Sequence, residues 1–144
     1  MVKRKEKLKK VLVEIAGKLN QDGTIKWLLG SSGALMLHGL EVEPGDLDFI
    51  IEEKDFEKAV KILKLNKINE EGHFSLEKDG VESEFIAVDL SRDKLEIKNY
   101  GGQKIFVNPL DKELGFYKNR EGKEEIIKLI EEKLRERGII STGI

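Results

Sequence analysis

Two aspartates, Asp46 and Asp48, stand at the head of the run DLDFIIE, and their spacing constrains this chain more than any other feature. Read as a strand from Asp46 to Glu52, the run sends both carboxylates out of one face of a sheet, roughly 7 Å apart. Leu47 and Phe49 point the other way, into a core. Aspartate is a poor strand former, and two like charges on one face repel each other. A solvated strand end tolerates such a pair; a bound divalent cation compensates it.

The segment before the pair sharpens the choice. Thr24 to Leu29 reads as a short strand carrying Trp27, a core residue by its alternation. It stops at Gly30-Ser31-Ser32-Gly33, and Ala34 to His38 then reads as helix, with His38 a helix-face packing residue. A strand, a tight Gly/Ser turn and a helix start present free backbone N–H groups to an anion. Glu43-Pro44-Gly45 is a second turn, directly before Asp46.

Elsewhere the periodicities alternate between helix and strand. Leu8, Val11, Leu12, Ile15 and Leu19 share one face of a helix from Lys3 to Leu19, with lysines on its solvated face. Phe56, Ala59, Val60 and Leu63 repeat the helical period. His73–Leu76 and Val81–Val88 flank Lys78-Asp79-Gly80, a hairpin signal. Strands are expected over Lys94–Asn99 and Lys104–Val107, with Gly101-Gly102 between them. Asn108-Pro109 reads as an N-cap with proline at the first helical position after it, and a last helix carrying Ile127, Ile130 and Leu134 should end at Gly138. The order predicts an α/β (α+β) chain, a mixed β-sheet flanked by helices, in a single domain over residues 1–144. Gly115 to Lys123 is not a phosphate-binding P-loop: the spacing is wrong, Glu124 comes after the lysine and no strand precedes it.

Composition narrows the chemistry. With no cysteine there is no disulfide, thiolate zinc site or cysteine nucleophile, and two histidines are few for a histidine metal cluster. Any metal is therefore a hard ion held by oxygen ligands. A net charge of −2 argues against general nucleic-acid binding, and charged residues at 38%, balanced in sign, suit a thermophile's surface. The basic start Met1-Val2-Lys3-Arg4-Lys5 leads into no apolar signal region, and no run is apolar enough to span a membrane, so a cytoplasmic protein is expected.

GSSGALMLHG, a short turn and then DLDF resemble the signature of the polymerase-beta-like nucleotidyltransferase superfamily, in particular its minimal members, over Trp27 to Leu63. Gly30 and Ser31 match the family's turn, and Asp46 and Asp48 match its acid pair. The resemblance implies a nucleotidyltransferase-like sheet and a third acid on a later strand. Glu82 and Glu84 alternate onto one face and either fits; Glu84 is preferred because it precedes the apolar run. The resemblance further implies a catalytic and metal-binding set of Asp46, Asp48 and Glu84, with two Mg²⁺ ions as cofactor. Gly30, Ser31 and Ser32 would bind the nucleotide, an NTP, whose monophosphate passes to a hydroxyl of a small molecule, protein or RNA.

Two departures motivate an alternative. The third acid is Glu where relatives usually carry Asp, and Val42-Glu43-Pro44-Gly45 stands where many carry an Arg and a Thr. A catalytically degenerate module is the other reading: it would bind nucleotide, or a protein partner or second copy, as in a toxin–antitoxin-like pair. Tyr117-Lys118-Asn119-Arg120, with Lys123 after it, loosely resembles a basic segment that some relatives carry near the active site, and a solvated helix junction is the favoured reading.

Overall fold

A computed structural model describes residues 4–68 and 71–139. The lysine-rich amphipathic segment forms α1 (Arg4–Asp22), running past the predicted end at Leu19, while the predicted start at Lys3 lies outside the described residues. Its apolar stripe is buried against the sheet. β1 (Trp27–Gly30) passes directly into α2 (Ser31–Leu37). The Gly/Ser segment is therefore no separate turn ahead of a helix: Gly30 caps α2, and Ser31 and Ser32 are its first residues.

β2 (Leu47–Glu52) comes next, then a 3-10 turn at Glu53–Asp55 and α3 (Phe56–Leu63). Asp46 stands one residue outside β2, in a bend. The remaining elements are β3 (Asn66–Lys67), β4 (Phe74–Lys78), β5 (Val81–Val88), β6 (Glu96–Tyr100), β7 (Gln103–Val107), α4 (Leu110–Lys118) and α5 (Glu124–Glu136). The expected β4–β5 hairpin forms, and the two strands expected around Gly101-Gly102 pair as a second one. Asp79-Gly80 and Gly101-Gly102 have positive φ at both turn residues, the conformation that a two-residue hairpin needs and that Asp-Gly and Gly-Gly allow. Pro109, not Asn108, takes the N-cap position of α4, and the Asn108 side chain turns inward, its Nδ2 3.4 Å from Glu113 Oε1.

Among the described residues seven strands pair in the order β3-β4-β5-β2-β1-β7-β6. The sheet is mixed: β2–β5 and β1–β7 run parallel and the other neighbours antiparallel. Alternate residues Trp27, Leu29, Leu47, Phe49, Ile51 and Phe85 face α1 and α3 and form the core, where the Phe49 and Phe85 rings stack with centroids 4.9 Å apart. A smaller cluster of Leu35, Leu114, Tyr117, Ile130 and Leu134 joins α2, α4 and α5. His38 fastens that end: its Nε2 lies 2.8 Å from the Asn108 carbonyl, and Arg137 donates to its backbone oxygen at 2.6 Å. Because strand residues alternate, Asp48, Ile50, Glu84 and Ile86 emerge on the sheet face opposite α1 and α3. Among the described residues no helix is long and apolar enough to cross a membrane.

Candidate active site

Three adjacent strands bring the site together. Gly30 pairs with Asp48 across β1 and β2, and Asp48 pairs with Glu84 across β2 and β5. Neighbouring strands lie about 4.8 Å apart, so the two carboxylates sit side by side on one face beside the Gly30–Ser31 junction. They open into a cleft of about 350 Å³, whose other walls include Ile50, Ile86, His73 and Arg120.

Asp48 carries the electrostatic tension of this arrangement. Burial holds its carboxyl above the usual carboxylate range, and the charges of Glu84 and Asp46 push it further the same way. A hydrogen bond with the Ser31 hydroxyl and the positive charge of Arg120 pull in the other direction, without cancelling the rise. A half-buried carboxylate beside a second one, with a third close by, is an arrangement that folding alone would not favour.

The predicted residues separate into two groups. Gly30, Ser31, Asp48 and Glu84 line the cleft together. Asp46 is exposed in the bend before β2 and acts on Asp48 through its charge. Ser32 is half-buried and is not among the cleft's lining residues. Glu82 lies on the same face of β5 as Glu84, but pairs with Glu77 on β4, outside the cleft.

Arg120 is exposed at the junction between α4 and α5, as expected, but it has a second feature. It does not merely decorate a helix junction: its side chain reaches the cleft, with its guanidinium carbon 5.4 Å from the Tyr117 ring. Tyr117 is buried, and burial and neighbouring Glu113 raise its phenol above the ordinary value. The signal was present as spacing, since Glu113, Tyr117 and Arg120 recur at helical intervals and so share one face of α4 and its end.

Ser31 has φ 52, in the left-handed region that residues with a Cβ avoid. Such strain recurs at functional turns. Ser31→Ala keeps it and Ser31→Gly releases it, so the glycine variant should be more stable than the alanine variant by about 1 kcal/mol. Urea denaturation of the two variants checks this, and equal midpoints would show that the turn is unstrained.

The donor set suits one kind of metal. Among the described residues no three histidine or acidic side chains form a metal-holding cluster. Mg²⁺ does not need one: it is commonly held by one or two carboxylates and completed by substrate phosphates and water. Two adjacent carboxylates, with Asp46 near enough to perturb one of them, fit that pattern.

No protein-family model matches the chain, and no curated protein does. Solved structures do match. A Thermotoga maritima protein assigned as a nucleotidyltransferase, TM1012, superposes with a TM-score of 0.68 at 23% identity, covering 94% of this chain and 97% of that one. The lincosamide antibiotic adenylyltransferase LnuA, bound to lincomycin, gives 0.61 at 18% identity over 90% of this chain and 97% of its own. ANT(2'')-Ia in complex with adenylyl-2''-tobramycin gives 0.62 at 8% identity over 90% and 91%.

Proposed function

We propose that this chain, which has the nucleotidyltransferase fold, transfers a nucleoside monophosphate from a nucleoside triphosphate to a hydroxyl acceptor in the Asp48–Glu84 cleft. The observation that carries this reading is the register of β1, β2 and β5. It sets two carboxylates next to the strained Gly30–Ser31 junction, with one arginine facing them. The acceptor class that the structural neighbours favour is a small hydroxylated molecule, since LnuA was solved with lincomycin and ANT(2'')-Ia with adenylyl-2''-tobramycin.

The residues then take distinct roles. Asp48 and Glu84, with Asp46 beside them, would hold Mg²⁺, which supplies charge neutralisation for the phosphates and a lower pKa for the attacking hydroxyl. Ser31 turns its hydroxyl from Asp48 to the triphosphate, and Gly30 lets the backbone come close to it. Glu84, exposed and on the β4 side of Asp48, accepts the proton as the acceptor oxygen bonds to the α-phosphorus. The bond to the bridging oxygen breaks, and Arg120 neutralises charge growing on the departing pyrophosphate. The work done by the chain is positioning and electrostatics, with no covalent intermediate.

Calorimetry of ATP binding, with and without Mg²⁺, tests the reading on the wild type and on Asp46→Ala/Asp48→Ala. Metal-dependent binding is expected in the wild type and should be lost in the double variant. A wild type that binds no nucleotide would sink the proposal and leave the protein-interaction module.

A further inference from the structure

The cleft is chemically divided, and its second half has no part in the scheme above. Gly30, Ser31, Asp48, Glu84 and Arg120 make a charged and polar end. Two residues further along the same strands, Ile50 and Ile86 stand side by side in the parallel register, on the same sheet face as the acids. Both are only partly buried, which is unusual company for two carboxylates on an open sheet face. Val88 continues the row of β5 and is 37% exposed. His73 closes one side of the same cleft; its carbonyl accepts from Ile68 N–H at 2.8 Å, which pins its backbone while the ring stays exposed.

We infer that Ile50 and Ile86 form an apolar shelf for the nucleobase of the triphosphate, with His73 at its rim reading the base edge; this rests on the nucleotidyl-transfer reading above. The geometry comes from the strand repeat. With the β- and γ-phosphates at Ser31 and the α-phosphate beside Asp48 and Glu84, the next side-chain row lies roughly 7 Å along the strands. That is the order of distance separating the α-phosphate of a nucleotide from its base. A flat heteroaromatic ring presents an apolar face and a hydrogen-bonding edge, and the shelf and its rim present the complements.

The acceptor does not compete equally for this floor. The leaving pyrophosphate lies toward β1 and α2, so in-line attack brings the acceptor from the opposite side, across Glu84 toward β4. The base is attached off that axis and runs along the strands, over Ile50 and Ile86.

Two ligands that differ only in the nucleoside separate the possibilities. ATP and inorganic tripolyphosphate, each with Mg²⁺, are titrated by calorimetry into the wild type, Ile50→Thr/Ile86→Thr and His73→Ala. Threonine keeps the β-branched shape that suits a strand and removes the apolar surface, and His73→Ala alters an exposed side chain with no part in the core. ATP affinity should fall roughly tenfold in the double threonine variant and measurably in His73→Ala. Tripolyphosphate affinity should not change in either. Unchanged ATP binding in both variants overturns the shelf, as does a wild type that binds tripolyphosphate as tightly as ATP; both outcomes leave the transfer site standing. A wild type that binds neither ligand overturns the shelf together with the function it rests on.

Discussion

Asp48→Asn should abolish nucleotidyl transfer, by about 10²-fold or more in kcat, while leaving the fold as stable as the wild type or slightly more so. The two halves of this expectation share one cause. Asp48 is half-buried, and burial and the charges of Glu84 and Asp46 hold its carboxyl above the usual range, so its ionised form is disfavoured in the folded state. Asparagine has the same shape, keeps a partner for Ser31 and removes the repulsion across β2 and β5. Like charges facing each other on adjacent strands cost a few tenths to about 1 kcal/mol, and that cost disappears. A residue that serves only the fold behaves in the opposite way: its removal lowers stability, and activity falls through unfolding. Thermal denaturation and a transfer assay on the same preparation therefore decide the matter. Retained transfer in Asp48→Asn would end the catalytic assignment, whereas a lower midpoint would mark Asp48 as a structural residue.

Much of this site was legible because local chemistry fixes it. The alternation of DLDF sends acids to one face and apolar residues to the other whatever strand lies beside it. Asp79-Gly80 and Gly101-Gly102 announce their turns because their φ values demand such residues. The superfamily fold expected from GSSG and DLDF agrees with the structural neighbours. What local sequence does not encode is strand order. β5 lies beside β2, with β4 and β3 beyond it at the sheet edge, and the parallel register of β2 and β5 puts Glu84, and not Glu82, next to Asp48. Arg120 was obscured for a related reason: in a run of charged residues at a helix junction, nothing local shows which one folds back over the cleft. The two residues of β3 are too few and too exposed to show any period. Asn108 lost the cap position to Pro109 because its side chain is drawn into the buried site at Glu113.

That buried site gives the other large effect: the wild type should lose about 3 kcal/mol of stability between pH 5 and pH 8, and Glu113→Gln should lose almost none of it. Glu113 is 3% exposed, and desolvation raises its pKa from 4.5 to about 7; Asn108, Arg120 and Lys112 oppose the rise and do not overcome it. The unfolded chain releases its proton near 4.5, whereas the folded chain keeps it until about 7. Between those values the folded state binds more protons, so stability falls as pH rises and the full cost is present only above the folded pKa. The neighbouring amide supports a protonated carboxyl. Among the described residues Asn108 Oδ1 is buried without a hydrogen-bond partner, while Nδ2 is a distant 3.4 Å from the carboxylate. Rotating the amide lets a protonated Glu113 donate to that oxygen. Glutamine supplies the same donor at every pH and carries no charge to desolvate. Urea titrations at pH 5 and pH 8 would read the difference as a change in midpoint at constant slope. Parallel pH profiles for the two proteins would place the Glu113 proton loss near the unfolded value, and Asn108 would then need another partner. Because Glu113 shares its helix face with Tyr117 and Arg120, the same proton sits two turns from the cleft. A stability slope without a matching change in Asp48-dependent transfer would show that its role ends in the packing of α4.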